Sequence, residues 1–249
     1  MRIARFVANG RIHEGQVVED SILDEAGRSY QQSEITWLPP VTPAKVVGLV
    51  LNYADHAKEL GLDTPIDPVL FFKPLTSLIG HGAQIIRPAG AEKLHYEVEL
   101  GVVIGRRCRK VKAANAFDVI RGYTVGNDVT ARDYITNYFR PPVKAKGYDT
   151  FGPLGPWVVV DEDIDPDNVE LRAYVNGELR QQGHTSNLIH KVGPIIEYIS
   201  EFMTLEPNDV ILTGTPEGIS YVQPGDVLRV EAVGIGTLEN PVAGEESLS

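Results

Sequence analysis

The stretch that decides the fold is His95-Tyr96-Glu97-Val98-Glu99-Leu100-Gly101-Val102-Val103-Ile104-Gly105. Its second half is apolar and rich in β-branched residues, the composition of a core strand. Its first half alternates. Side chains at i and i+2 of a strand share a face, so His95, Glu97 and Glu99 point one way and Tyr96, Val98 and Leu100 the other. Two acids one step from a core strand repel each other. Either a raised pKa keeps their protons on, or a cation holds them. A third acid, Asp128, closes the next strand pattern, Tyr123 to Asn127. If those two strands are neighbours, three carboxylates converge. Three oxygen donors with no cysteine and no obligatory histidine suit Mg2+ or Mn2+. On its own, Glu-x-Glu fits a half-exposed strand edge as well.

Outward from this strand the chain is strand-rich. Arg2 to Val7 and Ile12 to Val18 flank Asn9-Gly10, a strong type I′ hairpin signal. Glu25-Ala26-Gly27 marks a second turn, and Pro39-Pro40 and Pro43 punctuate a connector. A small N-terminal β-module over 1–42 follows, with the main domain over 43–249. Val46 to Leu51, Val69 to Phe72, Val210 to Leu212 and Val227 to Val233 read as strands, and Asn176-Gly177 as a hairpin turn. Tyr53 to Leu60 reads as a short helix ended by Gly61. Ala113 to Ile120 and Thr130 to Tyr138 read as further helices. From Ser186 to Met203 the apolar residues keep a helical period, with Gly193-Pro194 marking a kink or a late start. The sum is a β-dominated α+β fold with a few flanking helices.

The 249 residues carry 23 Lys and Arg against 34 Asp and Glu, a formal charge of −11. Such a surface repels nucleic acid and anionic membrane, so neither is expected as a partner. No apolar run approaches the length of a membrane span, and the N-terminus lacks a signal-peptide core. The single cysteine, Cys108, permits no intrachain disulfide. A reduced, cytoplasmic setting is expected. Arg107 and Arg109 flank Cys108 and could lower its pKa, but a lone cysteine with no adjacent histidine is more often inert. Asp161 to Asp167 resembles a calcium loop, but Pro166 stands where glycine is required.

Further residues carry chemistry. His56 and Glu59, at i and i+3 of the short helix, pair an imidazole with a carboxylate that orients it, which makes a general base near neutral pH. A solvated surface pair fits the same spacing. Lys146, in a Gly- and Pro-rich loop, would stabilise a developing enolate oxygen or simply be solvated. Arg132 and Arg140 suit a substrate carboxylate or a structural ion pair. Thr215, in Gly214-Thr215-Pro216-Glu217-Gly218, offers a hydroxyl among backbone N–H groups, or ends a strand.

Taken together, six segments resemble the fumarylacetoacetate hydrolase family. They are Asn52-Tyr53-Ala54-Asp55-His56, Phe71-Phe72-Lys73-Pro74, His95 to Leu100, Asn127 to Asp133, Val175 to Gln181 and Thr213-Gly214-Thr215-Pro216. The resemblance implies a mixed β-sheet roll, a homodimer, and a divalent metal, Mg2+ or Mn2+, held by Glu97, Glu99 and Asp128. It implies His56 and Glu59 as a lid dyad and Lys146 as the active-site lysine. Within the family, Asn137 to Pro142, Lys144-Ala145-Lys146 and Phe151 to Trp157 are similar to enzymes of homoprotocatechuate (4-hydroxyphenylacetate) breakdown. Those enzymes decarboxylate 5-oxopent-3-ene-1,2,5-tricarboxylate and isomerise 2-hydroxyhepta-2,4-diene-1,7-dioate. The substrate class expected is therefore a small 2-oxo dicarboxylate or tricarboxylate. Acylpyruvate or fumarylpyruvate C–C hydrolysis, oxaloacetate decarboxylation, and a catalytically silent metal-stabilised protein are the rival expectations.

Overall fold

Asn9 and Gly10 adopt positive φ angles of 50° and 71°, as a type I′ turn requires. They join the antiparallel strands Arg2–Ala8 and Arg11–Val18. Ser21–Asp24 and Ser29–Gln31 continue this meander. Phe6, Ile22, Tyr30 and Trp37 close a small core of their own beneath it. The first strand also pairs with Gly152–Val159, so the N-terminal strands run continuously into the main sheet. The computed structural model describes residues 1–135 and 141–248.

From Gly152–Val159 the sheet passes through Ile120–Asn127, Val98–Ile104, Val210–Leu212 and Val46–Val50 to Val69–Lys73 at its far edge. Val210–Leu212 and Val46–Val50 are parallel, whereas Val98–Ile104 is antiparallel to both of its neighbours. A second sheet of five strands runs in the order Glu178–His184, Glu170–Val175, Val227–Ala232, Gly236–Gly244, Ile85–Arg87. Leu100, Val102 and Ile104 of the first sheet share one core with Leu171, Val230 and Leu238 of the second. Val103 points the other way, into a separate cluster with Val46, Val158 and Val210. The Val98–Ile104 strand is thus covered on both faces, as its composition indicated. The fold is a β-dominated α+β roll.

Among the described residues, three short helices flank the sheets: α1 (Ala54–Glu59), α2 (Val143–Lys146) and α3 (Val192–Phe202). Gly61 follows α1 with a φ of 69°, the left-handed conformation a helix end favours. The helical period that begins at Ser186 becomes helix only at Val192, because Pro194 fits only the first turn. There the Asp167 carboxylate accepts the N–H of Val192 at 3.1 Å, which gives one acid of the 161–167 run a structural task.

Two expected helices are corrected. Ala113 to Ile120 forms two successive 3-10 turns, and Ile120 already belongs to the next strand. Over the described part of the second, Thr130–Ala131 is a short strand paired with Leu94–His95, and Arg132–Tyr134 a single 3-10 turn; residues 136–138 lie outside the described residues. Strand pairing overrides helical periodicity there. No helix among the described residues is long and apolar enough to cross a membrane.

Candidate active site

The strand expected over Tyr96 to Ile104 is interrupted just where the acids begin. Leu94–His95 and Val98–Ile104 are separate strands. Between them the backbone leaves the ladder, and side chains take over its hydrogen bonds. Asn127 Oδ1 accepts the N–H of Glu97 at 3.0 Å, and Gln181 Oε1 accepts that of Val98 at 3.2 Å. The neighbouring strand delivers Asp128, whose N–H donates to the Glu97 carbonyl at 2.9 Å. Glu97, Glu99 and Asp128 each bring one carboxylate oxygen to a cluster in which all lie within 4.8 Å of one another. All three are buried. The solvent-facing alternative for Glu-x-Glu is therefore wrong.

Three cations pair with two of the acids, Glu97 and Asp128. Lys146 Nζ lies 3.0 Å from Glu97 Oε2 and also donates to Asp128 Oδ2. Arg132 Nη2 pairs with Glu97 Oε1. Lys73 Nζ donates to Asp128 Oδ1 at 2.6 Å and to the Lys146 carbonyl at 2.7 Å. Burial by itself raises the pKa of Glu97, but Lys146 and Arg132 more than offset this and hold it well below the usual carboxylate range. Glu99 goes the other way, because burial and then the charges of Asp128 and Glu97 push it well above. Lys146 is raised against the pull of burial by Asp128 and Glu97. Lys73, fully buried, is lowered by loss of hydration despite Asp128.

Glu99 holds the clearest sign of a missing partner. Its Oε2 accepts the Gly214 N–H at 2.7 Å, while its Oε1 is buried with no hydrogen bond. A buried carboxylate oxygen without a partner costs free energy unless something fills its lone pairs. Hard oxygen donors from three carboxylates are what a divalent cation takes. The residues fit such an ion, with Glu97, Glu99 and Asp128 as its holders.

One cavity of about 250 Å3 opens beside this cluster. Glu97, Arg132, Lys146, His56 and Thr215 line its polar side, and Leu49, Leu51, Leu60, Val69 and Leu70 form an aliphatic wall. His56 Nδ1 is 2.8 Å from Glu59 Oε2, and Glu59 Oε1 accepts the Gly218 N–H at 3.0 Å. The dyad is therefore a tethered pair that presents His56, itself buried, to the cavity. Thr215 donates to the Val98 carbonyl at 2.9 Å. Gly214 has a φ of 98°, and a Cβ there would meet Asn52 Cβ at 2.9 Å. Only glycine brings that N–H so close to Glu99.

Arg140 lies outside the described residues. Two residues were missed in the sequence. Lys73 carried a signal, an ammonium in an apolar strand run on the same face as buried Phe71. Gln181 joins Val98 to the hydroxyl of Thr215 (2.8 Å) and the carbonyl of Pro216 (2.6 Å), and nothing local announced it. His95 keeps both ring nitrogens buried without partners. Burial, aided by the Arg132 charge, pushes its pKa down to about 4. Cys108 stays inert, as a lone cysteine is expected to: burial raises its thiol, and the Arg106 charge beside it does not reverse this.

A family model, Fumarylacetoacetate (FAA) hydrolase C-terminal, matches residues 45–243. The chain belongs to the fumarylacetoacetate hydrolase family. Among family members, it is 47% identical over 213 residues to the 4-hydroxyphenylacetate degradation bifunctional isomerase/decarboxylase of Salmonella dublin. That match takes in 85% of this chain and 49% of the relative, so the chain spans about half the relative's length. The solved structure of 5-carboxymethyl-2-hydroxymuconate delta-isomerase from Mycobacterium smegmatis superposes with a TM-score of 0.90 at 44% identity, covering 98% of this chain and 99% of that one. Maleylpyruvate hydrolase from Sphingobium sp. SYK-6, solved in complex with manganese (II) ion and pyruvate, superposes with a TM-score of 0.84 at 28% identity, covering 98% and 99%.

Proposed function

We propose that the chain decarboxylates 5-oxopent-3-ene-1,2,5-tricarboxylate and isomerises 2-hydroxyhepta-2,4-diene-1,7-dioate in 4-hydroxyphenylacetate catabolism, as a Mg2+-dependent enzyme that also accepts Mn2+. The observation that carries this reading is one cavity lined by Glu97 of the carboxylate triad, by His56 of the imidazole–carboxylate dyad, by Lys146 and by Arg132, opposite an aliphatic wall. The bifunctional isomerase/decarboxylase relative supports it.

Both reactions turn on the oxygen of a 2-oxo acid: the decarboxylation sends electron density toward it, and the isomerisation draws density from it to a carbon that is protonated. An ion held by Glu97, Glu99 and Asp128 would supply Lewis-acid polarisation at that end. In the decarboxylation the bond to the departing CO2 breaks, and its electron pair runs through the conjugated double bond toward the 2-oxo oxygen. In the isomerisation the 2-hydroxyl loses its proton and C5 gains one, so that the dienol becomes the 2-oxo-3-ene acid. His56 serves these transfers. Glu59 on Nδ1 fixes the tautomer protonated there and leaves the Nε2 lone pair for the cavity. Lys146 sets positive charge beside the electron-rich oxygen, and Arg132 takes a substrate carboxylate. The aliphatic wall accepts the carbon chain, and α1 shields the site from water. Lys146 and Arg132 line the cavity and set positive charge where an acidic substrate would enter. On this reading the enzyme is a cytoplasmic homodimer. The exposed Val69, Phe72 and Leu75 at the free edge of the main sheet support self-association.

A substrate panel tests the proposal. The tricarboxylate, the heptadienedioate, fumarylpyruvate and oxaloacetate are each incubated with the protein in Mg2+ or in EDTA, and CO2 and product masses are followed. Ion-dependent loss of CO2 from the tricarboxylate and conversion of the heptadienedioate are expected. Faster cleavage of fumarylpyruvate overturns the reading in favour of a C–C hydrolase. Tight ion binding without turnover of any 2-oxo acid overturns it in favour of a metal-stabilised non-enzyme.

A further inference from the structure

Tyr96 lies between His95 and Glu97 and points to the opposite face from the acids. Its side chain is fully buried. The hydroxyl donates to the Gly218 carbonyl at 3.0 Å and shares a 2.9 Å hydrogen bond with Ser220 Oγ. Gly218 in turn donates its N–H to Glu59 Oε1 at 3.0 Å, and Glu59 Oε2 holds His56 Nδ1 at 2.8 Å. A continuous chain of contacts thus runs from the middle of the carboxylate-bearing segment to the imidazole in the cavity.

We propose that Tyr96 is a positioning residue for the His56–Glu59 dyad, acting through Gly218. A buried tyrosine hydroxyl needs a partner, and Ser220 alone would satisfy it. Tyr96 in addition pins the one residue that clamps Glu59 from outside α1. Gly218 is itself confined. Its φ is 100°, and a Cβ would lie 2.8 Å from the Arg180 carbonyl oxygen. Glu59 needs the clamp, because it ends a helix of six residues with no side-chain cap at its start, too short to hold its own geometry. Among the described residues, Glu59 is paired with His56 and Gly218 alone. The segment from Tyr96 to Glu99 therefore serves two parts of the site, the acids on one face and the orientation of the base on the other.

The inference rests on His56 acting as the base in the proposed function, and its test separates the two. Tyr96→Phe keeps the ring and removes the hydroxyl. In 15N spectra of the imidazole, assigned with His56→Gln, wild-type His56 is expected as the tautomer protonated at Nδ1. In Tyr96→Phe, as in Glu59→Gln, its two nitrogen shifts converge as the tautomers mix. With the best substrate of the panel, kcat falls about tenfold, while KM and the calorimetric Mg2+ affinity stay at wild-type values. The double variant Tyr96→Phe/Glu59→Gln is no slower than Glu59→Gln alone, and Ser220→Ala behaves as wild type. 4-Aminophenylalanine at position 96 restores a donor and restores kcat, which keeps the test open if Tyr96→Phe folds poorly. Unchanged His56 shifts in Tyr96→Phe overturn the inference, as do multiplicative losses in the double variant. If the wild type turns over no 2-oxo acid, the functional proposal fails and the spectra still decide the role of Tyr96.

Discussion

Asp24, among the N-terminal strands, and Glu99, in the central strand, are both buried acids. Asp24 is surrounded by donors. The N–H groups of Ala26 and Arg28 reach it at 3.0 and 2.8 Å, the Tyr30 hydroxyl at 3.2 Å, and the Arg28 guanidinium lies 3.3 Å away. The backbone bond from Arg28, with those from Ala26 and Tyr30, outweighs burial and holds its carboxyl below the usual range. Glu99 has one N–H donor, two neighbouring acids and an oxygen with no partner. An acid whose lone pairs are all filled does structural work. An acid kept short of donors beside other acids is reserved for something that binds.

The comparison breaks most visibly at the triad. Glu97→Ala/Glu99→Ala is expected to abolish Mg2+ and Mn2+ binding in calorimetry and to lower kcat about a thousandfold. Retained activity would remove the metal role altogether. Glu99→Gln sharpens the contrast by removing the charge and keeping the shape. In EDTA at pH 7 it should stabilise the protein against urea by about 2 kcal/mol, while destroying ion affinity. A loss of stability would place Glu99 in the same class as Asp24.

The two acids should also respond to pH with opposite signs. The folded pKa of Glu99 lies above its unfolded value, near 4.3. Its contribution to the stability of the ion-free protein is full below that value and is lost as pH rises through the folded pKa. Urea midpoints in EDTA should therefore fall with rising pH more steeply in the wild type than in Glu99→Gln, and Mg2+ should remove the difference. The folded pKa of Asp24 lies below its unfolded value, near 3.9. Its stabilisation is present above that value and is lost as pH falls through the folded pKa. The smallest effect follows: Asp24→Asn lowers the melting temperature at pH 7 by a few degrees, the deficit closes in acid, and kcat is unchanged. A change in kcat would show that the N-terminal strands act on the site.

What was legible in the sequence follows the reach of local patterns. A period of two placed Glu97 and Glu99 together, and one step of strand pairing added Asp128. The i, i+3 spacing placed His56 against Glu59. The pairing of Asn127 with the Glu97 backbone, and of Gln181 with Val98 and Thr215, joins segments distant in sequence. No local pattern encodes such bonds. The same limit explains the two helices that did not form. Thr130–Ala131 has Leu94–His95 as a strand partner, and Ala113 donates its N–H to the Glu197 side chain at 2.8 Å. In both places a distant partner decides between conformations that the local sequence leaves nearly equal.

The position of Lys146 has a consequence for ion uptake. Its ammonium lies against Glu97 and Asp128, within the cluster that would receive the ion. An incoming divalent cation would have to displace that ammonium or share the two carboxylates with it. Removing the Lys146 charge is therefore expected to tighten Mg2+ binding in calorimetry. In small domains whose ion is their folding template, chelation is denaturation. Here Glu97 and Asp128 already have cations of the chain beside them, so EDTA is expected to leave the protein folded.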